Sequence, residues 1–238
     1  RHALADLSII RREFLIKPFV SAALLATALL AAPASGKETS FAHDPEVAAF
    51  IAEMEEKHGF DADFLQRRFA RLHPNETVLK AIRPPAVPEL QRSWERYRAR
   101  FLNERRIAGG ARFWEQHEAT LKRASVTYGV PEEIIVAIIG VETEYGRNTG
   151  KFGVMQALST LAFHYPPRAP FFRGELEAYL LLARENDFDP LVLKGSYAGA
   201  LGIPQFMPSS QRRYAVDFDG DGKVDLTRSV DDAVGSVA

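Results

Sequence analysis

The stretch at residues 130–150, VPEEIIVAIIGVETEYGRNTG, decides how this sequence is interpreted. Apolar residues recur there at helical spacing and end in a carboxylate: Ile135, Ile138, Ile139 and Glu142. Glu142 is therefore predicted to face inward, whereas Glu144, two residues on, is predicted to face water. Burial raises the pKa of a carboxyl group and keeps it protonated, as a general acid must be near neutral pH. A structural glutamate held inward by a salt bridge is the alternative.

A second unusual stretch, SYAGALGIPQFMPSS, occupies residues 196–210. Alanine and glycine dominate positions 198–202, and such small residues let the backbone approach a ligand closely. Gln205 adds an amide group that can hydrogen-bond an N-acetyl group. A tight turn between helices is the alternative explanation for the glycines. Ser196 lacks the G-x-S-x-G pattern of a hydrolase nucleophile.

Together, the motifs GVETEYG and SYAGALGIPQFMPSS resemble the B-type lytic murein transglycosylases of bacteria, and the resemblance extends from Ser93 to Ala238. It implies a mainly α fold, with a lysozyme-like helical core, an N-terminal helical lobe and a single EF-hand-like loop. It also implies that Glu142 is catalytic and that the sugar-binding residues are Ser196, Gln205, Phe206, Tyr97 and Tyr145. Tyr97 belongs to an aromatic stripe at helical spacing, which is otherwise typical of a core.

The reaction implied by this resemblance is cleavage of the MurNAc-β-1,4-GlcNAc bond of peptidoglycan without water. Protonated Glu142 would donate to the glycosidic oxygen and then take a proton from the muramic acid 6-hydroxyl, which closes a 1,6-anhydro ring. Most glycosidases use two carboxylates instead. Two alternatives remain: a hydrolysing muramidase, in which a second carboxylate assists water, and a non-catalytic peptidoglycan-binding module.

The stretch DFDGDGKVD at residues 217–225 has the spacing of a calcium-binding loop. The predicted oxygen ligands are Asp217, Asp219, Asp221, Lys223 through its carbonyl, and Asp225. Arg228 stands where such a loop normally has a bidentate acid, so Asp231 or Asp232 would have to substitute. No cofactor is expected for the chemistry, and Ca²⁺ would be structural. A plain Asp-Gly turn is the alternative.

The composition narrows the classes of partner. The chain has 238 residues, a formal net charge of -1 and no cysteine. This charge gives no global positive field for nucleic acid. The absence of cysteine excludes disulfides, thiol catalysis, Cys-ligated zinc and lipid attachment through an N-terminal cysteine. The expected partners are peptidoglycan glycan strands and cell-wall synthesis or remodelling proteins, with no nucleic acid and no stable membrane anchor.

Residues 1–36 have the features of a signal peptide. Arg11 and Arg12 form a twin-arginine pair, and the apolar run that starts at Phe19 is shorter than a comfortable membrane span. Export to the periplasm is therefore predicted, and an uncleaved membrane anchor is the alternative.

The rest of the chain is predicted to form two parts. Residues 37–92 are interpreted as the N-terminal helical lobe with a Pro-rich connector at 74–92. Residues 93–238 are interpreted as the lysozyme-like catalytic core, whose sequence is expected to continue beyond Ala238.

Overall fold

α-Helices make up most of the regular structure of this protein, as predicted. The computed structural model describes residues 40–84 and 93–238; the predicted signal peptide and part of the Pro-rich connector lie outside the described residues. The helices of these two ranges are α1 (Pro45–His58), α2 (Ala62–Phe69), α3 (Glu76–Ile82), α4 (Trp94–Ala99), α5 (Glu104–Gln116), α6 (Glu118–Tyr128), α7 (Glu132–Thr143), α8 (Val154–His164), α9 (Ala169–Glu185), α10 (Pro208–Tyr214) and α11 (Val230–Val237). Two short strands, β1 (Phe152–Gly153) and β2 (Lys194–Gly195), pair antiparallel.

One helix lies among prolines, where the sequence predicts only a connector. The predicted connector at 74–92 contains α3. The Asn75 side chain caps this helix by accepting hydrogen bonds from the backbone nitrogens of Thr77 and Val78. The helix then buries Val78 and Leu79. A local cap and two apolar contacts are therefore enough to form a helix between proline-rich stretches.

The larger hydrophobic cluster joins the N-terminal helices to α8 and α9. Phe50 of α1, Phe69 of α2 and Phe163 of α8 meet edge to face, with ring centroids 5.8 to 6.3 Å apart. Each such aromatic pair contributes roughly 0.5–1.5 kcal/mol beyond its buried area. The boundary predicted between residues 92 and 93 therefore does not separate two hydrophobic cores, because α1 to α3 pack on helices from beyond it.

The smaller hydrophobic cluster contains the helix that carries Glu142. In α7, Ile135, Val136 and Ile139 are buried against residues of α5, α6 and α11. Ile203, from the irregular stretch before α10, completes this cluster. The end of α7 is thus held by apolar packing from several directions.

Within the described ranges, no single helix is long and apolar enough to cross a membrane. The pair α6 and α7 passes the length and composition test only when taken together, and the two helices are bent by 113° at their junction.

Candidate functional site

Helix α7 ends one residue after Glu142, and this ending decides where the carboxyl group lies. The inward positions of α7 repeat every four residues, at Ile135, Ile139 and Thr143, and all three are buried. Ile138 is 39% exposed, and Glu142, one turn further along the same side, is exposed as well. The prediction that Glu142 faces the interior is therefore wrong, because Glu142 flanks the buried stripe and Thr143 completes it.

Glu144 lies beyond the helix, so helical spacing does not determine its direction. It occupies the left-handed region with φ 53° and serves as the C-cap of α7. Its carboxylate forms an ion pair with Arg105, in which Oε1 lies 2.7 Å from Arg105 Nε. The Glu144 side chain is only 17% exposed. The prediction that Glu144 faces water is also wrong, because the turn after Thr143 directs the side chain towards α5.

The environment of Glu142 favours a protonated carboxyl group. Although the residue is exposed as a whole, desolvation of its carboxyl raises the pKa of Glu142 above the ordinary value. Among the described residues, no hydrogen bond or ion pair holds this carboxyl. The salt-bridged structural glutamate considered above is therefore excluded. The raised pKa that was predicted for Glu142 is confirmed in direction.

Residues 196–208, called the glycine-rich segment below, are tied to the end of α7. The Thr143 hydroxyl donates a hydrogen bond of 2.7 Å to the carbonyl oxygen of Ile203, and the Thr143 hydroxyl oxygen accepts one of 3.0 Å from Gly146 N. Gln205, two residues after Ile203, donates from its amide nitrogen to the carbonyl of Thr149 at 3.1 Å. The structure thus brings Gln205 to the loop that follows Glu142.

Gln205 holds a strained but well-anchored position. Its φ is 54°, a region that residues other than glycine rarely occupy. Its amide nitrogen donates to the carbonyls of Thr149 and Gly202, which fixes the orientation of the side chain. The amide oxygen therefore remains available to accept a hydrogen bond. Strain of this kind clusters at functional sites, where the surrounding structure maintains it.

Ser196 begins the glycine-rich segment, and its hydroxyl oxygen accepts hydrogen bonds from the backbone nitrogens of Ala198 and Ala200, at 3.3 and 3.0 Å. The hydroxyl hydrogen remains free to donate to a ligand. The same turn is held by Ser196 N, which donates to the carbonyl of Ala200 at 2.9 Å. The hydroxyl position is thus set by backbone geometry.

The glycines of this segment serve internal packing. A Cβ at Gly199 would lie 2.4 Å from Leu158 Cδ2, and a Cβ at Gly202 would lie 2.4 Å from the carbonyl oxygen of Leu226. Both glycines have positive φ. The sequence attributes these small residues to close approach of a ligand. At Gly199 and Gly202, contacts within the protein already explain why glycine is required.

Aromatic residues of the predicted site fall in two different environments. Tyr97 on α4 is 50% exposed, and its ring lies between those of Trp94 and Phe101, with centroid distances of 6.0 and 5.1 Å. Helix α4 buries none of its residues, so this stripe is not a core stripe. Phe206 is half-buried and exchanges backbone hydrogen bonds with Leu201. Sugar contacts by Tyr97 and Phe206 stay predictions.

Tyr145 lies between α5 and α7. A Cβ at Gly110 or at Gly140 would come within 2.6 Å of the Tyr145 hydroxyl oxygen. This hydroxyl donates to the carbonyl of Arg106 at 2.9 Å. The position gives Tyr145 a packing role. The contact between Tyr145 and a sugar stays a prediction. Arg106, which no sequence pattern indicated, is a tertiary neighbour of this site that spacing alone could not reveal.

Three aspartates converge in the predicted calcium loop. Carboxylate oxygens of Asp217, Asp219 and Asp221 all lie within 4.8 Å of one another. Each also accepts a backbone hydrogen bond from within the loop, such as Gly222 N to Asp217 at 2.8 Å and Lys223 N to Asp221 at 2.8 Å. Hydrogen bonding from the Ser229 hydroxyl and a backbone nitrogen lowers the pKa of Asp219. The lowered pKa favours the ionised form of Asp219, and the three carboxylate groups are clustered, as a cation site requires.

The other acids near this loop are engaged elsewhere. Asp225 accepts from the backbone nitrogens of Thr227 and Arg228 at 2.9 and 3.0 Å. Asp231 accepts a hydrogen bond from the Thr120 hydroxyl of α6. Asp232 is buried and accepts three backbone hydrogen bonds, two of them from Phe218 and Asp225 at 2.8 and 2.7 Å and one from Asp219. Neither candidate for the missing twelfth ligand therefore points into the aspartate cluster.

Two clefts of the described surface lie away from Glu142. One, of about 440 Å³, lies between α2 and the end of α9, and another, of about 600 Å³, borders the 217–228 loop. Neither includes Glu142, which is exposed near the end of α7.

Comparison with known proteins agrees with this arrangement. The profile of the family described as Transglycosylase SLT domain matches residues 42–238. The chain belongs to this transglycosylase family. Membrane-bound lytic murein transglycosylase B of Escherichia coli (strain K12) is 49% identical over 207 residues, which are 83% of this chain and 56% of that protein. The chain thus spans about half the length of this curated relative.

Solved structures of transglycosylases have the same fold. Soluble lytic transglycosylase SltB1 from Pseudomonas aeruginosa is 54% identical with a TM-score of 0.77, over 81% of this chain and 64% of that chain. Escherichia coli Slt35, in complex with calcium, is 48% identical with a TM-score of 0.76, over 83% and 62%. SltB3 from Pseudomonas aeruginosa, in complex with NAG-NAM-pentapeptide, is 32% identical with a TM-score of 0.69, over 81% and 50%. The resemblance to lytic murein transglycosylases and the lysozyme-like helical fold are confirmed.

Proposed function

We propose that this transglycosylase cleaves the MurNAc-β-1,4-GlcNAc bond of peptidoglycan and leaves 1,6-anhydro-MurNAc ends. The observation that carries the proposal is the state of Glu142. Its carboxyl group has a raised pKa, no ion-pair partner among the described residues and an exposed position near the end of a helix with one buried side. A raised pKa increases the fraction of Glu142 that is protonated at a given pH, and the protonated carboxyl can deliver its proton to a substrate on the surface.

In the first step, the protonated Glu142 donates its proton to the glycosidic oxygen as the bond to the muramic acid anomeric carbon breaks. Positive charge develops on the sugar ring in an oxocarbenium-like state. The departing sugar leaves with the proton as a free hydroxyl. The substrate's own N-acetyl group stabilises the charge that remains on the ring.

In the second step, the same residue acts as the base. Glu142 is now ionised, and it takes the proton from the 6-hydroxyl of the muramic acid. The 6-oxygen then bonds to the anomeric carbon and closes the 1,6-anhydro ring. Glu142 ends the cycle protonated again, so one carboxyl group is sufficient and no water is consumed.

The glycine-rich segment supplies polar groups for the sugar substituents. The free amide oxygen of Gln205 can accept a hydrogen bond from the N–H of an N-acetyl group. The free hydroxyl hydrogen of Ser196 can be donated to a sugar oxygen. Both groups are held by backbone hydrogen bonds, so their placement needs little ordering when substrate binds. The complex of the related SltB3 with NAG-NAM-pentapeptide supports a glycan as the ligand.

The alternative of a hydrolysing muramidase requires a second carboxylate beside the bond. Glu144 is the nearest acid in sequence, and it is paired with Arg105 instead. Mass spectrometry of the released muropeptides distinguishes the two reactions, because an anhydro end and a reducing end differ by the mass of one water molecule. We expect anhydro ends. Released muropeptides with reducing ends would show that the protein is a muramidase. If no muropeptides were released, the protein would be a non-catalytic binding module.

We further propose that the 217–225 loop holds a structural Ca²⁺. The residues fit in part: Asp217, Asp219 and Asp221 present clustered carboxylates, and the carbonyl of Lys223 can add an oxygen. Asp225 would have to release its hydrogen bonds to Thr227 and Arg228 to join them. A bound cation would offset the repulsion among the aspartates, and the complex of related Slt35 with calcium supports this assignment.

A further inference from the structure

The hydroxyl of Thr143 is a buried polar group that has no part in the proposed reaction steps. Thr143 is 1% exposed and directly follows Glu142 at the end of α7. Its hydroxyl donates to Ile203 O at 2.7 Å and accepts from Gly146 N at 3.0 Å. Its carbonyl accepts from Asn148 N at 2.9 Å. One side chain and its own peptide group thus connect the helix, the loop that follows and the glycine-rich segment.

The loop on one side of this connection is strained. Glu144, Tyr145 and Gly146 follow each other with φ values of 53°, 63° and 82°. Two of them carry a Cβ, which makes the left-handed region unfavourable unless the surroundings impose it. The bond from Gly146 N to the Thr143 hydroxyl closes this turn. The direction in which the chain leaves Glu142 therefore depends on that hydroxyl.

The segment on the other side is held at the same point. Both backbone polar groups of Ile203 are hydrogen-bonded. Its carbonyl accepts from the Thr143 hydroxyl, and its nitrogen donates to Leu226 O at 2.8 Å. Gln205, two residues further on, is held by its own amide bonds to the carbonyls of Thr149 and Gly202. The bond between Thr143 and Ile203 thus joins the residue after Glu142 directly to the segment that carries Gln205.

We propose that Thr143 is a positioning residue, whose hydroxyl fixes Glu142 relative to the glycine-rich segment that carries Ser196 and Gln205. This inference rests on the proposed function. Thr143 is buried and does not touch the substrate, so it acts through Glu142. Its loss should change the alignment between the proton donor and the bound sugar and leave the sugar-binding groups in place.

The main test is Thr143→Val, which keeps the shape of the side chain and removes its hydroxyl. The carbonyl of Ile203 and the nitrogen of Gly146 then lose their partner. A misalignment of about 1 Å costs about 10²-fold in rate, so we expect kcat for release of anhydro-muropeptides to fall on that order. We expect KM to change little. Thr143→Ser keeps the hydroxyl and should restore most of kcat, which a purely volume-filling role would not predict.

Thr160→Val is the matched control. Thr160 on α8 is equally buried, and its hydroxyl also donates to a carbonyl, that of Gln156, and accepts from a backbone nitrogen, that of Asn75. It should lower the melting temperature about as much as Thr143→Val and leave kcat unchanged. Equal losses of kcat in both variants, or a normal kcat in folded Thr143→Val, would overturn the inference.

If Thr143→Val does not fold, Thr143→Ser and Thr143→Ala replace it as a pair that differs only in the hydroxyl. A kcat ratio near one between them would overturn the positioning role, and a large ratio in favour of serine would support it. Failure of the proposed function is a separate result: the unmodified protein would then release no anhydro-muropeptides at all, whatever residue stands at position 143.

Discussion

Arg106 Nη1 donates a hydrogen bond of 2.6 Å to the backbone carbonyl of Gly140, two residues before Glu142. The same carbonyl accepts from Glu144 N at 3.2 Å, and a cation near the last helical turn also complements the helix dipole. The carbonyl of Arg106 in turn accepts from the Tyr145 hydroxyl. The end of α7 is therefore fixed to α5 by reciprocal contacts, and the ring of Tyr145 fills the space that glycines leave between the helices.

Because of this packing, replacing Gly140 with alanine is expected to destabilise the protein, opposite to the usual effect of this substitution in a helix. In an exposed helix, glycine to alanine stabilises by roughly 0.5–1 kcal/mol. A Cβ at Gly140, however, would lie 2.6 Å from the Tyr145 hydroxyl oxygen and 2.7 Å from its Cζ. Gly140→Ala should therefore destabilise by about 1–3 kcal/mol, as overpacking does. Gly174→Ala on α9 is the control, because nothing lies within 4 Å of its added Cβ. Urea unfolding should show opposite signs, and equal stabilisation would contradict the packing.

The raised pKa of Glu142 predicts the pH dependence of the reaction. The first step needs the protonated carboxyl, which is populated below the pKa and lost as pH rises through it. The alkaline limb of kcat/KM should therefore lie above the range of an ordinary glutamate. Ile138 is one turn before Glu142 on the same side, so Ile138→Gln should hydrate the carboxyl and shift that limb to lower pH. A limb that stays in place would mean that Glu142 does not set it.

Part of this arrangement is predictable from the sequence, and the rest depends on tertiary contacts. Helical periodicity located α7, and the two motifs located Glu142, Ser196 and Gln205. Periodicity assigned the wrong directions to Glu142 and Glu144, because the helix ends at Thr143 and the next residue takes a left-handed conformation. Spacing within one helix carries no information about where a chain turns.

Contacts between distant segments are the other source of error. Gly199 and Gly202 are required by Leu158 and Leu226, which are far from them in sequence. The partner of Thr143, Ile203, is sixty residues away. A pattern shows that glycine or threonine is present, and only the fold shows which neighbour makes it necessary.

Calcium should stabilise the protein through the 217–225 loop. At ten times its dissociation constant, a bound ion adds about 1.4 kcal/mol by mass action, which corresponds to a few degrees in melting temperature. Asp217→Ala should abolish this response. It should also lower the melting temperature without metal, because Asp217 accepts from Gly220, Asp221 and Gly222.

The control for the calcium experiment is Asp61→Ala. It removes the N-cap of α2, a bond of 2.9 Å from Phe64 N, at a typical cost of about 1 kcal/mol. This variant should melt earlier and keep its full response to calcium. An unmodified protein whose melting temperature is the same in chelator and in millimolar calcium would show that the loop is a plain turn.

Export is predicted to depend on Arg11 and Arg12, which lie outside the described residues. Twin-arginine signals require both arginines, and lysine preserves the charge without the recognised side chain. A precursor with both Arg11→Lys and Arg12→Lys should remain inside the cell, as measured by fractionation. The unchanged precursor should reach the periplasm, where glycan strands and cell-wall remodelling proteins are the expected partners. Normal export of the double variant would indicate a general secretory signal.

If Glu142 is the single acid and base, Glu142→Gln should stop the reaction. Because the ionised form is disfavoured in the folded protein, the neutral amide should leave the melting temperature unchanged or higher at neutral pH. Release of anhydro-muropeptides from purified peptidoglycan should fall by about 10²–10⁴-fold or more. Glu144→Gln, which loses the ion pair with the largely exposed Arg105, should retain activity and lose less than about 1 kcal/mol of stability. Retained anhydro-product formation in folded Glu142→Gln, or equal loss in both variants, would contradict the account.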